Sequence, residues 1–187
     1  MNAWDVGQLL LWVVVLFNLL LTVALARRVA ALGAAAGTST GAPVGGLPAG
    51  SAAPPFVART PDGVERARGD LGDGPLVLGF FSPTCEACYD HVVHFAELAG
   101  RAAPQGITTV AVVDGDTASA ARLLDRLPDG VPVLLAARPE NPFLGAYLVD
   151  AYPTYTVVVD GSVVGSFGSV PELNQWLSAT TARVAGR

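Results

Sequence analysis

The chain has 187 residues, 51% of them apolar, with a net charge of −5 and no lysine. That length fits one domain with appendages, and an acidic chain without clustered Lys or Arg lacks the phosphate contacts a nucleic-acid binder needs. Its two cysteines, Cys85 and Cys88, are too close in sequence to staple a fold, because so small a loop removes little chain entropy; their spacing points to redox or metal chemistry.

The first element is Leu9–Ala26, a run without charge whose polar members are Asn18 and Thr22. As a helix it spans about 27 Å, close to the hydrocarbon thickness of a bilayer, and Trp4 and Trp12 suit a membrane interface. The run is apolar on all sides, unlike a core helix packed on one face. Ala24-Leu25-Ala26 looks like a signal-peptide cleavage site, but the segment before the run carries Asp5 and no positive charge, and the run is long for a signal peptide. No cysteine follows it to carry a lipid. We therefore expect residues 1–31 to be a retained transmembrane anchor. Arg27 and Arg28 follow the run and nothing basic precedes it, so charge alone points the rest of the chain to the cytoplasm.

Residues 32–55 are almost entirely Ala, Gly, Pro, Ser and Thr. They read as a flexible linker on the order of 25–30 Å end to end. This leaves residues 56–187 as one domain of ordinary size.

Within the domain, Phe56–Glu65 reads as a short hairpin turned at Pro61-Asp62-Gly63. Leu76–Phe81, after Gly74-Pro75, is a continuous apolar run of the kind found in a central buried strand. Cys85–Gly100 is helical, with Cys88, Val92, Phe95 and Ala99 at helical spacing and Gly100 and Pro104 closing it. Ile107–Val113 is a second buried strand. Asp116 or Thr117 caps a helix carrying Ala120, Leu123, Leu124 and Leu127. Val131–Leu135 is a strand and Pro142–Val149 a short helix. Thr154–Val159 and Ser162–Phe167 flank Asp160-Gly161, a strong hairpin signal. Ser169-Val170-Pro171-Glu172 has the capping-box pattern and opens a last helix with Leu173, Trp176 and Leu177 inside. Strands alternating with helices predict parallel βαβ units in an α/β fold, and the last hairpin adds antiparallel edges.

Cys85-Glu86-Ala87-Cys88 falls where a buried strand passes into a helix. Unpaired N–H groups and the macrodipole favour negative charge there, and the thiolate is the nucleophile. We expect Cys85 to attack and Cys88, one turn on, to close the internal disulfide and release a partner. Glu86, beside Cys85, opposes the thiolate and makes the couple less oxidising, with an expected potential of about −200 to −270 mV. The plain alternative is a pair of ordinary reduced thiols.

Pro153, in Tyr152-Pro153-Thr154, is either an ordinary residue at the start of a strand or a cis-proline facing the cysteines. In the second case the backbone of Ala151 or Tyr152 is free to pair with a peptide. Cys85, Cys88, His91 and His94 are spaced by three like a metal-ligand run. On a helix such steps fan the side chains apart, so four ligands cannot converge. A copper site using both cysteines and one histidine stays open, haem attachment is excluded by Tyr89 after Cys88, and His91 either moves protons near the sulfurs or simply packs.

Val77 to Cys88, with its Phe80-Phe81-Ser82-Pro83-Thr84-Cys85 core, resembles the active-site strand and turn of thioredoxin-like proteins. Ala53-Pro54-Pro55-Phe56 followed by Asp62-Gly63, and Tyr152-Pro153-Thr154 before a hairpin, resemble the TlpA/ResA-like branch. The Ser-Pro-Thr-Cys segment and the anchor ending in Arg27-Arg28 are most similar to MauD-like methylamine-utilization proteins. The resemblance implies a thioredoxin-like fold, a central mixed sheet flanked by helices and preceded by one transmembrane helix. It also implies exchange roles for Cys85 and Cys88, a cis Pro153, and an extracytoplasmic domain despite the arginines. There are departures: Thr84 precedes Cys85 in place of tryptophan, Gly79 stands where thioredoxins carry a buried aspartate, His91 stands where TlpA-like proteins carry a glutamate, and Val93 replaces the helix-kinking proline.

The expected function is thiol–disulfide oxidoreductase, single-pass in the membrane and without a cofactor, in a specialised maturation pathway. Cys85, Cys88 and Pro153 are its catalytic residues, Glu86, Thr84 and His91 modulate them, and Tyr152 and Thr154 bind substrate. The expected partners are a cysteine-containing exported protein and a membrane electron-donor protein, with no nucleic acid. A copper-handling module and a non-catalytic assembly factor are the competing readings.

Overall fold

The computed structural model describes residues 45–128 and 130–185, with side chains to Ser178, together with Trp4, Gly7, Gln8, Trp12 and 14–22. The chain divides into two units, residues 1–40 and 41–187. In the first, Trp12 and 14–22 are helical with exposed side chains, and the Thr22 hydroxyl donates to the Asn18 carbonyl at 2.8 Å. Much of the anchor expected over 1–31 lies outside the described residues; among those described, no helix is long and apolar enough to cross a membrane.

The second unit is built on one seven-stranded sheet: β1 (Val57–Arg59), β2 (Glu65–Ala67), β3 (Leu76–Phe81), β4 (Thr108–Val113), β5 (Val133–Leu135), β6 (Thr154–Val159) and β7 (Ser162–Phe167). Their spatial order is β2-β1-β5-β4-β3-β6-β7. β3, β4 and β5 pair in parallel, while β1 and β2 on one side and β6 and β7 on the other are antiparallel. The helices are α1 (Cys88–Ala102), α2 (Thr117–Leu124), α3 (Phe143–Ala146) and α4 (Val170–Ala185).

Period-2 alternation in the buried β3 supplies both cores. Leu76, Leu78 and Phe80 face a layer with Phe56, Phe143, Leu144 and Tyr147. Val77 and Phe81 face α1, α2 and α4 through Val92, Phe95, Leu98, Leu123 and Leu173. The central strands β3 and β4 are buried along nearly their whole length, which is why their sequences read as unbroken apolar runs.

Local signals explain the element ends. Asp116 caps α2: its carboxylate accepts from the Ser119 N–H at 2.8 Å and the Ser119 hydroxyl accepts from the Asp116 N–H at 3.0 Å, satisfying N–H groups that the first turn leaves open. Asp160 and Gly161 both have positive φ, 47° and 75°, the geometry of a tight hairpin turn that matches strand twist. At α4 the Glu172 N–H donates to the Ser169 hydroxyl, but the Glu172 carboxylate reaches back one residue further, to the Gly168 N–H.

Three differences from the sequence reading are physical. The regular helix begins at Cys88, three residues later than expected. The N–H groups of Cys88, Tyr89 and Asp90 donate to the carbonyls of Cys85, Glu86 and Ala87, so a turn of three-residue bonds leads into α1. The helix expected over Pro142–Val149 is confined to Phe143–Ala146, where Leu148 turns to positive φ. Residues 45–55, read as linker from composition, instead run against the domain. The Gly46 N–H donates to Leu148 O at 2.9 Å, the Gly50 N–H to Val163 O at 2.8 Å, the Val163 N–H to Ser51 O at 2.8 Å, and the Ala53 N–H to Gly161 O at 2.8 Å. Gly46 lies so close to β7 that a Cβ would stand 2.7 Å from the Ser166 hydroxyl. Backbone pairing and close approach, which need no bulky side chain, hold this stretch.

Candidate active site

The C-terminal ends of parallel strands are where an open α/β sheet gathers its chemistry, and Cys85 stands there, just past β3. The turn before it is tied locally. The Ser82 and Thr84 hydroxyls share a hydrogen bond of 2.9 Å, the Thr84 N–H donates to the Ser82 hydroxyl at 3.3 Å, and the Cys85 N–H donates to Ser82 O at 3.1 Å. The Tyr89 hydroxyl donates to Pro83 O at 3.0 Å. Thr84 and Glu86 are exposed, Cys85 is half-buried and Cys88 is fully buried.

Both thiols are free. That of Cys85 donates to the carbonyl of Tyr152 at 3.6 Å, so Tyr152-Pro153, distant in sequence, faces the cysteines. The Tyr152–Pro153 bond is cis, the geometry the resemblance implies. Burial, then the hydrogen bond from Cys85, push the Cys88 thiol up to about 12. The two sulfurs therefore differ in access: one meets solvent, the other sits behind it.

Thr154 is fully buried and its hydroxyl donates to Ala151 O at 2.8 Å. Its side chain shapes the loop rather than facing outward. Tyr152 is half-buried with its hydroxyl donating to Asp114 Oδ2 at 2.8 Å; burial first, then that carboxylate, raise the phenol's pKa. Asp114, one residue past β4, is gripped by Arg138, just past β5. The guanidinium Nε and Nη2 donate to Asp114 Oδ2 at 3.1 and 3.0 Å and the Arg138 backbone N–H to Oδ1 at 3.3 Å. Arg138 also donates Nη1 to Val149 O at 3.2 Å, contacts the Tyr152 hydroxyl, and stands 5.7 Å from the centre of the Tyr152 ring.

Behind the cysteines, His91 Nδ1 shares a 3.1 Å hydrogen bond with the hydroxyl of Tyr155, and their rings stack. Burial and then the nearby His94 lower the His91 pKa, while Asp90 opposes them. Tyr155 is fully buried; burial first, then the Cys88 and Cys85 sulfurs, raise its hydroxyl. Tyr155 lies directly across from Gly79 on β3. A Cβ at Gly79 would stand 2.9 Å from the Phe95 ring and 3.0 Å from that of Phe81, so aromatic rings occupy the space a buried carboxylate would need. His94 pairs instead with Glu97 at 3.6 Å on the exposed side of α1, apart from His91. Among the described residues no three His, Cys, Asp or Glu side chains are grouped to hold a metal.

Sequence reasoning thus missed Tyr155, Asp114 and Arg138. For Asp114 a signal was present: a charged residue directly after a predicted parallel strand lies at the chemical end of the sheet.

No family model matches the chain, and no curated protein does. Solved structures do. The thioredoxin domain of a thiol-disulfide oxidoreductase from Bacteroides vulgatus aligns with a TM-score of 0.63 at 15% identity, over 72% of this chain and 98% of that one. A secreted Mycobacterium tuberculosis disulfide oxidoreductase, homologous to E. coli DsbE, gives 0.53 at 18% identity over 61% and 83%. The dsbF of MTB, solved in mixed oxidized and reduced forms, gives 0.57 at 24% identity over 66% and 93%. The first two are a thiol-disulfide oxidoreductase and a disulfide oxidoreductase, and the likeness is one of fold: the domain has a thioredoxin-like fold with a Cys-x-x-Cys pair at 85 and 88.

Proposed function

We propose that the chain is a thiol–disulfide oxidoreductase of the TlpA/ResA-like kind, similar to MauD-like proteins, anchored by its N-terminal apolar run with the domain on the extracytoplasmic side. The observation that carries the reading is the pairing of an accessible Cys85, its thiol on the carbonyl next to Pro153, with a buried Cys88 one turn behind. Exposure decides the roles, since only Cys85 meets a protein-sized partner.

In the reducing direction, Cys85 as thiolate attacks one sulfur of a client disulfide; the Cys85–client bond forms and the client's own S–S bond breaks. Cys88 then gives up its proton and attacks the Cys85 sulfur. The internal disulfide forms, the Cys85–client bond breaks, and the client leaves as a dithiol, two electrons richer. His91, hydrogen-bonded to the Tyr155 hydroxyl, is the nearby imidazole to which this reading assigns the Cys88 proton. A membrane electron-donor protein returns the pair to the dithiol by the same steps reversed. The client in this reading is a cysteine-containing exported protein.

The test uses the full-length chain in detergent and a disulfide-closed peptide. Cys88→Ala is expected to hold the peptide as a mixed disulfide through Cys85, seen as an added mass that dithiothreitol removes, and Cys85→Ala to hold none. Equal trapping by both variants, or none by either, would overturn the assignment. In cells, a membrane-impermeant maleimide reaching Cys85 supports the outward orientation.

A further inference from the structure

The Asp114–Arg138–Tyr152 network has no part in the electron or proton transfers just described, yet it converges on the same point. Tyr152 supplies the carbonyl that receives the Cys85 thiol. Its hydroxyl is bound by Asp114, and the Asp114 N–H donates at 2.9 Å to the carbonyl of Phe81, the last residue of β3 before the cysteine turn. Arg138 binds Asp114 through its guanidinium and its backbone, and binds Val149 O in the segment leading to Tyr152. One ion pair thus fastens the Tyr152 loop to the ends of β3, β4 and β5. A partly exposed pair of this kind contributes little net stability, whereas two guanidinium N–H bonds on Oδ2 with the backbone N–H on Oδ1 fix the carboxylate's direction.

We propose that Asp114 and Arg138 are positioning residues that hold the Tyr152–Pro153 loop in register with Cys85, and so set the preference of the site for disulfides carried on a polypeptide. The proposal rests on the exchange reading above. A peptide disulfide must lie along the Ala151–Tyr152 loop as well as reach the sulfur; a small disulfide without a backbone needs the sulfur alone.

The experiment compares kcat/KM of the full-length chain for a short peptide closed by one disulfide with that for 2-hydroxyethyl disulfide. Asp114→Asn, which keeps the shape and removes the charge, is expected to lower the peptide-to-small-disulfide ratio about tenfold, mostly through KM, as losing a charge-assisted hydrogen bond does. Tyr152→Phe, which removes the hydroxyl alone and leaves folding intact, is expected to lower it about threefold, and Arg138→Lys to fall between wild type and Asp114→Asn. A ratio unchanged in Asp114→Asn and Tyr152→Phe, or a parallel loss on both substrates, would overturn the positioning role. Wild-type protein inert toward both substrates would overturn the exchange reading itself, and this role with it.

Discussion

The turn carrying Cys85 and the Tyr152–Pro153 loop that meets it are held by different means. The first is tied by side chains two and six residues from their partners, Ser82 with Thr84 and Tyr89 with Pro83. The second has one local tie, Thr154 to Ala151 O, and is fastened to the sheet by partners fourteen and thirty-eight residues from Tyr152, Arg138 and Asp114. Short-range bonds form as soon as the chain turns and depend little on the rest of the fold. Long-range ones require β3, β4 and β5 to be in register first. Cys85 therefore sits on a locally determined turn, and the loop that meets it is placed by the whole sheet.

The comparison extends behind the cysteines, and three substitutions probe it. The largest effect is expected where a long-range contact is tightest. Gly79→Asp drives a Cβ to 2.9 Å from the Phe95 ring and buries a carboxylate among aromatic rings. Overpacking and desolvation together are expected to cost at least about 3 kcal/mol, read as a lower urea midpoint. Unchanged stability would show that α1 yields at Phe95 and that the missing acid is a matter of chemistry rather than space.

Next is a local tie. Tyr89→Phe removes one half-buried hydrogen bond to Pro83 O and is expected to cost about 0.5–1.5 kcal/mol in thermal unfolding, with the ratio of peptide to small-disulfide turnover kept. A lost ratio would mean that the two loops are not held independently.

The smallest effect concerns His91 and Tyr155, sixty-four residues apart. The folded-state pKa of His91 lies below its ordinary 6.5, from burial first and then His94, with Asp90 opposing and Tyr155 facing it from β6. As pH falls below about 6.5 the unfolded chain takes up this proton before the folded one, so stability drops through that window down to the folded pKa. His91→Gln is expected to flatten that slope in denaturant titrations between neutral and mildly acidic pH. A slope identical to wild type would contradict the burial argument.

The same divide separates what was legible in the sequence from what was not. The strand–helix alternation, the Asp160-Gly161 hairpin, the Asp116 cap and the Cys-x-x-Cys turn after a buried strand are local patterns, and each reads directly from residue types. The Gly79–Tyr155 register, the Tyr155–His91 bond and the Asp114–Arg138 pair depend on which strands become neighbours, and no short window of sequence contains both partners. Residues 45–55 failed to read for a related reason. Composition registers missing bulk, while that stretch is held by backbone hydrogen bonds that composition does not record.

Cys85 and Cys88 are expected to form a reversible internal disulfide, and every exchange step depends on it. The direct measurement equilibrates the full-length chain in a series of dithiothreitol and glutathione redox buffers, then counts free thiols after acid quench and alkylation. A single two-electron transition, both thiols lost together at a potential of about −200 to −270 mV, is the predicted result. Two thiols that survive the most oxidising glutathione buffer unchanged would contradict it.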